Sequence, residues 1–85
     1  MAGKRRKVGD AFGTALRAAR AQRGWTQEEL GAAASYSTVT VSFLENGRRQ
    51  PTLSAILALE EALGLPAGEL VRRTRERLPG LKRAR

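Results

Sequence analysis

The chain of 85 residues is long enough for one small domain, and its 41% hydrophobic and 28% charged residues are typical of a folded globular protein. It contains no cysteine and no histidine, which excludes disulfides, zinc sites and most nucleophile-base pairs. Lysine and arginine outnumber acidic residues by 16 to 8, so the net charge of +8 predicts a polyanionic partner. We therefore expect no enzyme, no cofactor and no metal.

The positive charge is concentrated at the two ends of the chain. Residues 1–9 carry four cations and residues 79–85 carry three, whereas the nine arginines of residues 10–78 face eight acids. We predict a flexible basic N-terminal arm over 1–9, a globular domain over 10–78 and a basic tail over 79–85. No apolar run approaches the roughly 18–20 residues that cross a bilayer, and no secretory signal follows the N-terminal charges. A cytoplasmic, nucleoid-associated protein without membrane contact is expected.

The first predicted helix spans residues 10–22. Asp10 can cap its start by accepting a hydrogen bond from a free amide of the first turn, and Gly24 follows its end. Apolar residues at helical spacing predict its buried face, namely Phe12, Ala15, Leu16 and Ala19.

The second predicted helix has the strongest start signal. Thr26 opens the sequence Thr-Gln-Glu-Glu, a capping box in which two side chains satisfy each other's backbone amides. The helix continues to about Ala34, with Leu30 and Ala33 expected on its core face.

The third predicted helix opens at Ser37 and stops at Asn46-Gly47. Its β-branched residues 38–41 favour a strand by local propensity, but the cap and the apolar spacing favour a helix. Only residues 34–36 separate it from the second helix, which forces a sharp angle between the two. Such a pair is a helix-turn-helix unit, whose second helix can enter a major groove.

Two further helices complete the domain. Thr52 caps the fourth, which ends at Gly64 and carries Leu53, Ile56, Leu57, Leu59 and Leu63. The fifth has Pro66 in its first turn and stops at Pro79-Gly80. It is expected to bury Leu70, Val71 and Leu78, and to expose Arg72, Arg73, Arg75 and Arg77 as a solvated face. Five short helices with short connections predict a compact all-α domain.

Six stretches stand in a recognisable order and spacing: Leu16-Arg17-Ala18-Ala19-Arg20, Gly24-Trp25-Thr26-Gln27-Glu28-Glu29-Leu30, Ser37, Thr40-Val41-Ser42, Leu44-Glu45-Asn46-Gly47-Arg48 and Pro51-Thr52-Leu53. The series resembles the phage-repressor and Cro type of helix-turn-helix domain, often called XRE-type. The resemblance covers roughly residues 10–70 and implies a five-helix, lambda-repressor-like fold that binds double-stranded DNA.

The resemblance also implies individual roles. On the exposed side of the third helix, the recognition helix of this family, it places base-contacting residues at Thr38, Val39, Ser42 and Phe43. It places phosphate contacts at three locations. These are the start of the second helix with Gln27, the positions beside the base contacts with Ser37 and Thr40, and the loop after the third helix with Asn46, Gly47, Arg48 and Arg49. A helix N-terminus attracts anions, and phosphate contacts set the register in which groove side chains read the sequence.

The sequence departs from the family pattern in three ways. Ser35 stands where the family usually has glycine, at a turn position that wants a left-handed backbone and costs other residues about 1–2 kcal/mol. Phe43 replaces a polar or basic residue, and it can read a thymine methyl, wedge into a groove or bind a protein. The recognition helix also lacks the side chains that make bidentate base contacts, so DNA shape or the basic arms are expected to add specificity.

An internal ion pair is predicted between Arg20 and Glu45. Arg20 continues the spacing of Phe12 and Leu16, and Glu45 follows Leu44 at the inner end of the third helix, so the two charges are expected to be half-buried together. The family resemblance implies the same bridge. Trp25 and Tyr36 are interpreted as packing residues.

These features predict a sequence-specific transcriptional regulator, such as a small phage repressor or a restriction-modification controller. One domain offers few groove contacts, so a homodimer on a two-fold symmetric operator is expected, with a seam of Leu65, Leu70 and Leu78. With no sensor domain after the helices, no small-molecule ligand is expected. The alternatives are a protein-interaction module, as in an antitoxin or a transcription adaptor, and nonspecific nucleoid or RNA binding through the basic ends.

Overall fold

A computed structural model describes the backbone of residues 2–78 and the side chains of residues 7–78. The described chain folds into five α-helices: α1 Ala2–Gln22, α2 Gln27–Ala34, α3 Thr38–Glu45, α4 Leu53–Leu63 and α5 Glu69–Glu76. The predicted all-α fold is confirmed. The predicted tail, 79–85, lies outside the described residues. None of the helices described combines the length and the apolar character that a membrane crossing requires.

Helix α1 begins much earlier than the sequence signals indicate. It starts at Ala2, so the backbone of residues 2–9, predicted as a flexible arm, is helical, and Asp10 is not its N-cap. Lysine and arginine are good helix formers, and residues 2–9 contain no proline. Gly9 is buried, and the Asp10 carboxylate lies against the backbone of Gly47. The predicted start at Asp10 is therefore wrong, whereas the end at Gln22 is confirmed.

Helices α2 and α3 have the predicted N-terminal caps. The Thr26 amide donates to Glu29 Oε1 at 2.8 Å, and the Glu29 amide donates to Thr26 Oγ1 at 3.0 Å. Ser37 caps α3, since its Oγ accepts from the Thr40 amide at 3.1 Å. The Ser37 cap and the burial of Val41, Leu44 and Glu45 stabilise α3 as a helix in spite of its β-branched residues.

The turn between α2 and α3 is as tight as its length implies. Ser35 has φ 64° and ψ 40°, the left-handed conformation that the missing glycine would have adopted more easily, and it is the one non-glycine residue with positive φ among residues 2–78. A Cβ atom on Gly31 would lie 2.4 Å from the Tyr36 carbonyl oxygen. The chain can therefore turn so closely only because residue 31 has no side chain.

One hydrophobic core joins all five helices. Its buried members are Phe12, Ala15, Leu16, Ala19, Leu30, Ala34, Val41, Leu44, Leu59, Leu63 and Leu70. Trp25 and Tyr36 pack half-buried against it, as interpreted from the sequence. The core face of α2 was predicted one position out of phase: Ala33 is exposed, and Ala34 is buried instead. The helix period permits either residue, and the angle of the turn to α3 selects Ala34.

Helix α5 starts at Glu69, later than predicted from Pro66, and its N-cap Gly68 has no side chain to offer. A carboxylate from α4 replaces it. Glu60, 1% exposed, accepts from the Gly68 amide at 2.9 Å and from the Leu70 amide at 2.8 Å. Val71, predicted to be buried, is 40% exposed, because α5 packs through Leu70 and Thr74.

Helix α1 passes very close to the C-terminal end of α3. A Cβ atom on Gly13 would lie 2.3 Å from the Glu45 carbonyl oxygen. A glycine inside a helix costs up to about 1 kcal/mol relative to alanine. The close approach that Gly13 permits brings the last turn of α3 against α1, where the ion pair described below forms.

Candidate nucleic-acid interface

The ion pair predicted between Arg20 and Glu45 lies at the C-terminal end of α3. Arg20 Nε donates to Glu45 Oε2 at 2.6 Å, and Arg20 Nη2 donates to Oε1 at 3.0 Å. Arg20 Nη1 also donates to the Trp25 carbonyl at 2.8 Å, so the guanidinium ties α3 to the connection between α1 and α2. The Glu45 side chain is 0% exposed and that of Arg20 is 17% exposed.

The electrostatics favour the charged form of both partners. Burial is the largest influence on the Glu45 carboxyl and raises its pKa, but the hydrogen bonds from Arg20 and Gln27 and the charges of Arg20 and Arg17 together outweigh burial. The pKa of Glu45 therefore lies below its usual range. The hydrogen bond to Glu45 in turn raises the pKa of Arg20.

Gln27, expected at a phosphate, points partly inward. It lies half-buried at the first position of α2, and its Nε2 donates to Glu45 Oε1 at 3.0 Å. The side chain thus joins α2 to the buried carboxylate at the end of α3. The N-terminal turn of α2 keeps the partial positive charge that attracts an anion.

The four predicted base-contacting residues lie on the side of α3 that faces away from the core. Val39 is 61% exposed, Thr38 is exposed, and Ser42 and Phe43 are half-buried. The opposite side carries the buried residues Val41, Leu44 and Glu45. Helix α3 therefore presents one small, mixed apolar and hydroxyl surface to solvent.

Ser37 and Thr40, predicted beside the phosphates, are already engaged with each other. Ser37 Oγ donates to Thr40 Oγ1 at 3.0 Å while it accepts from the Thr40 amide. Ser37 is exposed and Thr40 is half-buried. The Ser37 hydroxyl is thus occupied in capping α3, which fixes the N-terminal end of the exposed surface.

The loop after α3 carries exposed cations beside this surface. Arg48 and Arg49 are exposed, and the Arg49 guanidinium lies 6.0 Å from the centre of the Phe43 ring. Asn46 is the C-cap residue of α3, and the half-buried Gly47 follows it. The loop therefore places two positive charges next to the outer face of α3.

Arg17, to which the sequence assigned no role, reaches this loop from α1. Its Nη2 donates to Asn46 Oδ1 at 2.8 Å, and its Nε lies 3.5 Å from Glu45 Oε1. Asn46 Nδ2 in turn donates to Ser42 Oγ at 3.3 Å. The spacing of three residues between Arg17 and Arg20 was the available signal, since it places both guanidinium groups on one face of α1.

Two arginines of α5 pair with acids of the same helix. Arg72 pairs with Glu69 at 2.6 Å and with Glu76, and Arg73 pairs with Glu69 at 2.7 Å. The hydrogen bonds from Arg72 and Arg73 lower the pKa of Glu69 to about 2. Arg72, Arg75 and Arg77 are exposed, as predicted for a solvated helix face, whereas Arg73 is half-buried and also donates to Gln22 of α1 at 3.4 Å.

The predicted dimer seam needs a correction. Leu70 is 0% exposed because it belongs to the core of the single chain, so it is not available to a second copy. Leu65 and Leu78 are half-buried. Two other leucines, one turn apart on α4, are much more accessible: Leu53 is 70% exposed and Leu57 is 47% exposed.

Comparison with known proteins places the fold among regulators. A model of the helix-turn-helix family matches residues 16–70. An uncharacterized HTH-type transcriptional regulator of Sinorhizobium fredii is 40% identical over 72 residues, which cover 85% of this chain and 88% of that protein. One of Mycobacterium tuberculosis is 42% identical over 59 residues, which cover 69% of this chain and 23% of that protein. The chain thus spans less than a quarter of its mycobacterial relatives, and the relatives are transcriptional regulators, not enzymes.

Two solved structures of the clp gene regulator ClgR from Corynebacterium glutamicum are also similar. One has a TM-score of 0.79 at 29% identity and covers 85% of this chain and 77% of its own. The other has a TM-score of 0.74 at 31% identity and covers 79% of this chain and 87% of its own.

Proposed function

Because the chain belongs to the XRE-type helix-turn-helix family, we propose that it is a sequence-specific double-stranded DNA-binding transcriptional regulator that acts in the cytoplasm on the nucleoid. The observation that carries the proposal is the setting of α3. Buried contacts of Glu45 with Arg20 and Gln27 hold one end of the helix, while its outer face and the cations beside it are exposed. A rigid helix with an exposed face and flanking cations fits a major groove between two phosphate strands.

The proposed contacts divide into two kinds. Base edges are contacted from the outer face of α3, by Thr38, Val39, Ser42 and Phe43. Phosphates are contacted from the N-terminal turn of α2 with Gln27, from the start of α3 with Ser37 and Thr40, and from the loop of Asn46, Gly47, Arg48 and Arg49. The exposure of Arg48 and Arg49 supports this division, because exposed cations can reach phosphates and release the counterions condensed on them. Gln27 has a second role, since it also holds Glu45.

We also propose that two copies act together on a two-fold symmetric operator. One domain of this size makes too few groove contacts for tight binding, and a dimer doubles them. The exposed pair of Leu53 and Leu57 supports an apolar seam on α4, and the half-buried Leu65 and Leu78 stay candidates from the sequence.

A second function is favoured by one observation. Val39 and Phe43 give the outer face of α3 an apolar character that also suits a protein partner, as in an antitoxin or a transcription adaptor. Selection of bound duplexes from a random DNA pool separates the two functions. An enriched palindrome supports the DNA-binding regulator, whereas a pool that stays random after repeated rounds contradicts it and favours the interaction module.

A further inference from the structure

We propose that α3 reads thymine: Val39 and Phe43 contact the 5-methyl group, and Ser42 donates a hydrogen bond to the neighbouring O4. The inference rests on the proposed function, because it names the base that this surface recognises. It depends on the direction in which the Ser42 hydroxyl can donate, and on the apolar side chains around that hydroxyl.

The direction of the Ser42 hydroxyl follows from its neighbours. A guanidinium group has donors and no acceptor, so the Asn46 atom that faces Arg17 at 2.8 Å must be the amide oxygen. The other end of the amide, Nδ2, therefore faces Ser42, and it can only donate. Ser42 Oγ must accept this hydrogen bond, at 3.3 Å, which leaves the hydroxyl proton to be donated elsewhere. Because the hydroxyl proton is not used in this bond, Ser42 can donate it to a ligand.

This chain of contacts begins in the core with an ion pair. Arg17 Nε lies 3.5 Å from Glu45 Oε1, and the same oxygen accepts from Arg20 and from Gln27. The buried carboxylate thus fixes Arg17, Arg17 fixes Asn46, and Asn46 orients Ser42. Arg17 is a positioning residue in this scheme, because it acts on the base only through Asn46 and Ser42.

The apolar part of the surface adjoins the hydroxyl. Phe43 is four residues after Val39 and Ser42 is three residues after it, so Val39 neighbours both on the surface of α3. Val39 is 61% exposed, so a ligand can reach it without rearrangement of the helix. Helix α3 therefore offers a hydrogen-bond donor beside a patch of hydrocarbon.

Only one of the four bases matches this pattern. In the major groove, thymine presents the acceptor O4 beside its 5-methyl group. Cytosine presents an amino donor at the equivalent position, guanine presents two acceptors without a methyl group, and adenine presents an acceptor and a donor. The combination of a donor and a hydrocarbon patch thus selects thymine.

The test uses the full chain and the duplex that it enriches from a random pool. Replacing a contacted thymine by deoxyuridine removes the methyl group and keeps O4. We expect affinity to fall about fourfold for each contacted thymine that is replaced, the factor for about one buried methyl group. In the Phe43→Ala variant, replacing the same thymine by deoxyuridine should lower affinity much less. Replacing that thymine and its adenine by 5-methylcytosine and guanine keeps a methyl group but changes the acceptor into a donor. This replacement should lower affinity by more than about tenfold.

Arg17→Met tests the positioning role. The ratio of affinities for the thymine and 5-methylcytosine duplexes should become smaller in this variant. The ratio of affinities for the thymine and deoxyuridine duplexes should not change, since the methyl contacts do not depend on Arg17. Arg48→Ala is the matched control, because losing a phosphate contact should weaken every duplex alike. Equal thermal unfolding midpoints show that the variants are folded.

The outcomes separate the inference from the proposed function. An enriched operator that has no thymine opposite α3, or that binds equally well with deoxyuridine at every thymine, overturns the thymine inference and leaves the regulator intact. A pool without an enriched sequence contradicts the regulator and the inference together.

Discussion

Arg20 and Glu45 lock together through two hydrogen bonds, Nε to Oε2 at 2.6 Å and Nη2 to Oε1 at 3.0 Å, with the carboxylate fully shielded from solvent. The same carboxylate accepts from Gln27 on α2. A single buried charge thus holds α1 and α2 against the last turn of α3, and it sets where the exposed face of α3 lies.

Removing one partner of this pair should destabilise the fold strongly. Glu45→Ala leaves the Arg20 charge partly buried without its carboxylate partner, which costs roughly 3–5 kcal/mol. Urea unfolding measures the loss. Glu76→Ala, which removes an exposed partner of Arg72, is the matched control and should change stability little. Equal midpoints for Glu45→Ala and the parent chain would rule out a structural role for the pair.

The lowered pKa of Glu45 makes the stability of the fold depend on pH in the acidic range. A carboxyl whose folded pKa lies below its unfolded value of about 4.3 stabilises the fold above that pH, and the contribution is lost as pH falls through the folded pKa. The parent chain should therefore lose stability below about pH 4 more steeply than Glu45→Gln, which has no proton to take up. Parallel acid profiles of urea midpoints would contradict this. The lowered pKa of Glu69 is common to both proteins and cancels.

Replacing either of two glycines of α1 with alanine should have opposite effects on stability. The Cβ atom of Gly13→Ala would lie 2.3 Å from the Glu45 carbonyl oxygen, so α1 and α3 must separate, at a cost of about 1–3 kcal/mol. Gly9→Ala is the control in the same helix. Its nearest neighbour would be at 3.4 Å, an ordinary contact, so alanine should be neutral or stabilise by up to about 1 kcal/mol. Thermal unfolding compares the two. Equal losses would mean that the close approach at Gly13 is not a constraint.

The proposed dimer predicts a concentration-dependent mass. Sedimentation equilibrium of the parent chain at tens of micromolar should give a dimer, and exchanging Leu53 and Leu57 for serine should shift it towards monomer. The exposed Val71→Ser, on α5, is the control and should leave the mass unchanged. A parent chain that sediments as a monomer at this concentration would refute the two-fold arrangement.

The helix pattern is predictable because its signals are local. Thr26, Ser37 and Thr52 each cap a helix through a side chain that accepts an amide hydrogen bond a few residues away, and their residue types announce this. Asp10 shows the limit of the same rule. A capping residue can also lie inside a helix, and the packing of Gly9 and the helix-forming cations before it decided the outcome.

The candidate site was less predictable because it depends on distance in space. Leu70 is apolar whether it faces its own core or a partner, so the sequence could not separate the two. Arg17 looks like a surface cation until the fold brings Asn46 within 2.8 Å of it. Glu60 likewise gave no sign in sequence that it caps α5, since its two amide partners lie in the next helix.

The most direct test of the central claim is a titration of the enriched duplex against a scrambled duplex over a salt series. We predict that the enriched palindrome binds at least about 1,000-fold more tightly, and that both affinities fall with salt because phosphates are neutralised in each case. Equal binding to every duplex that disappears with salt would contradict a sequence-specific regulator, since it would mean that only the phosphate backbone is recognised.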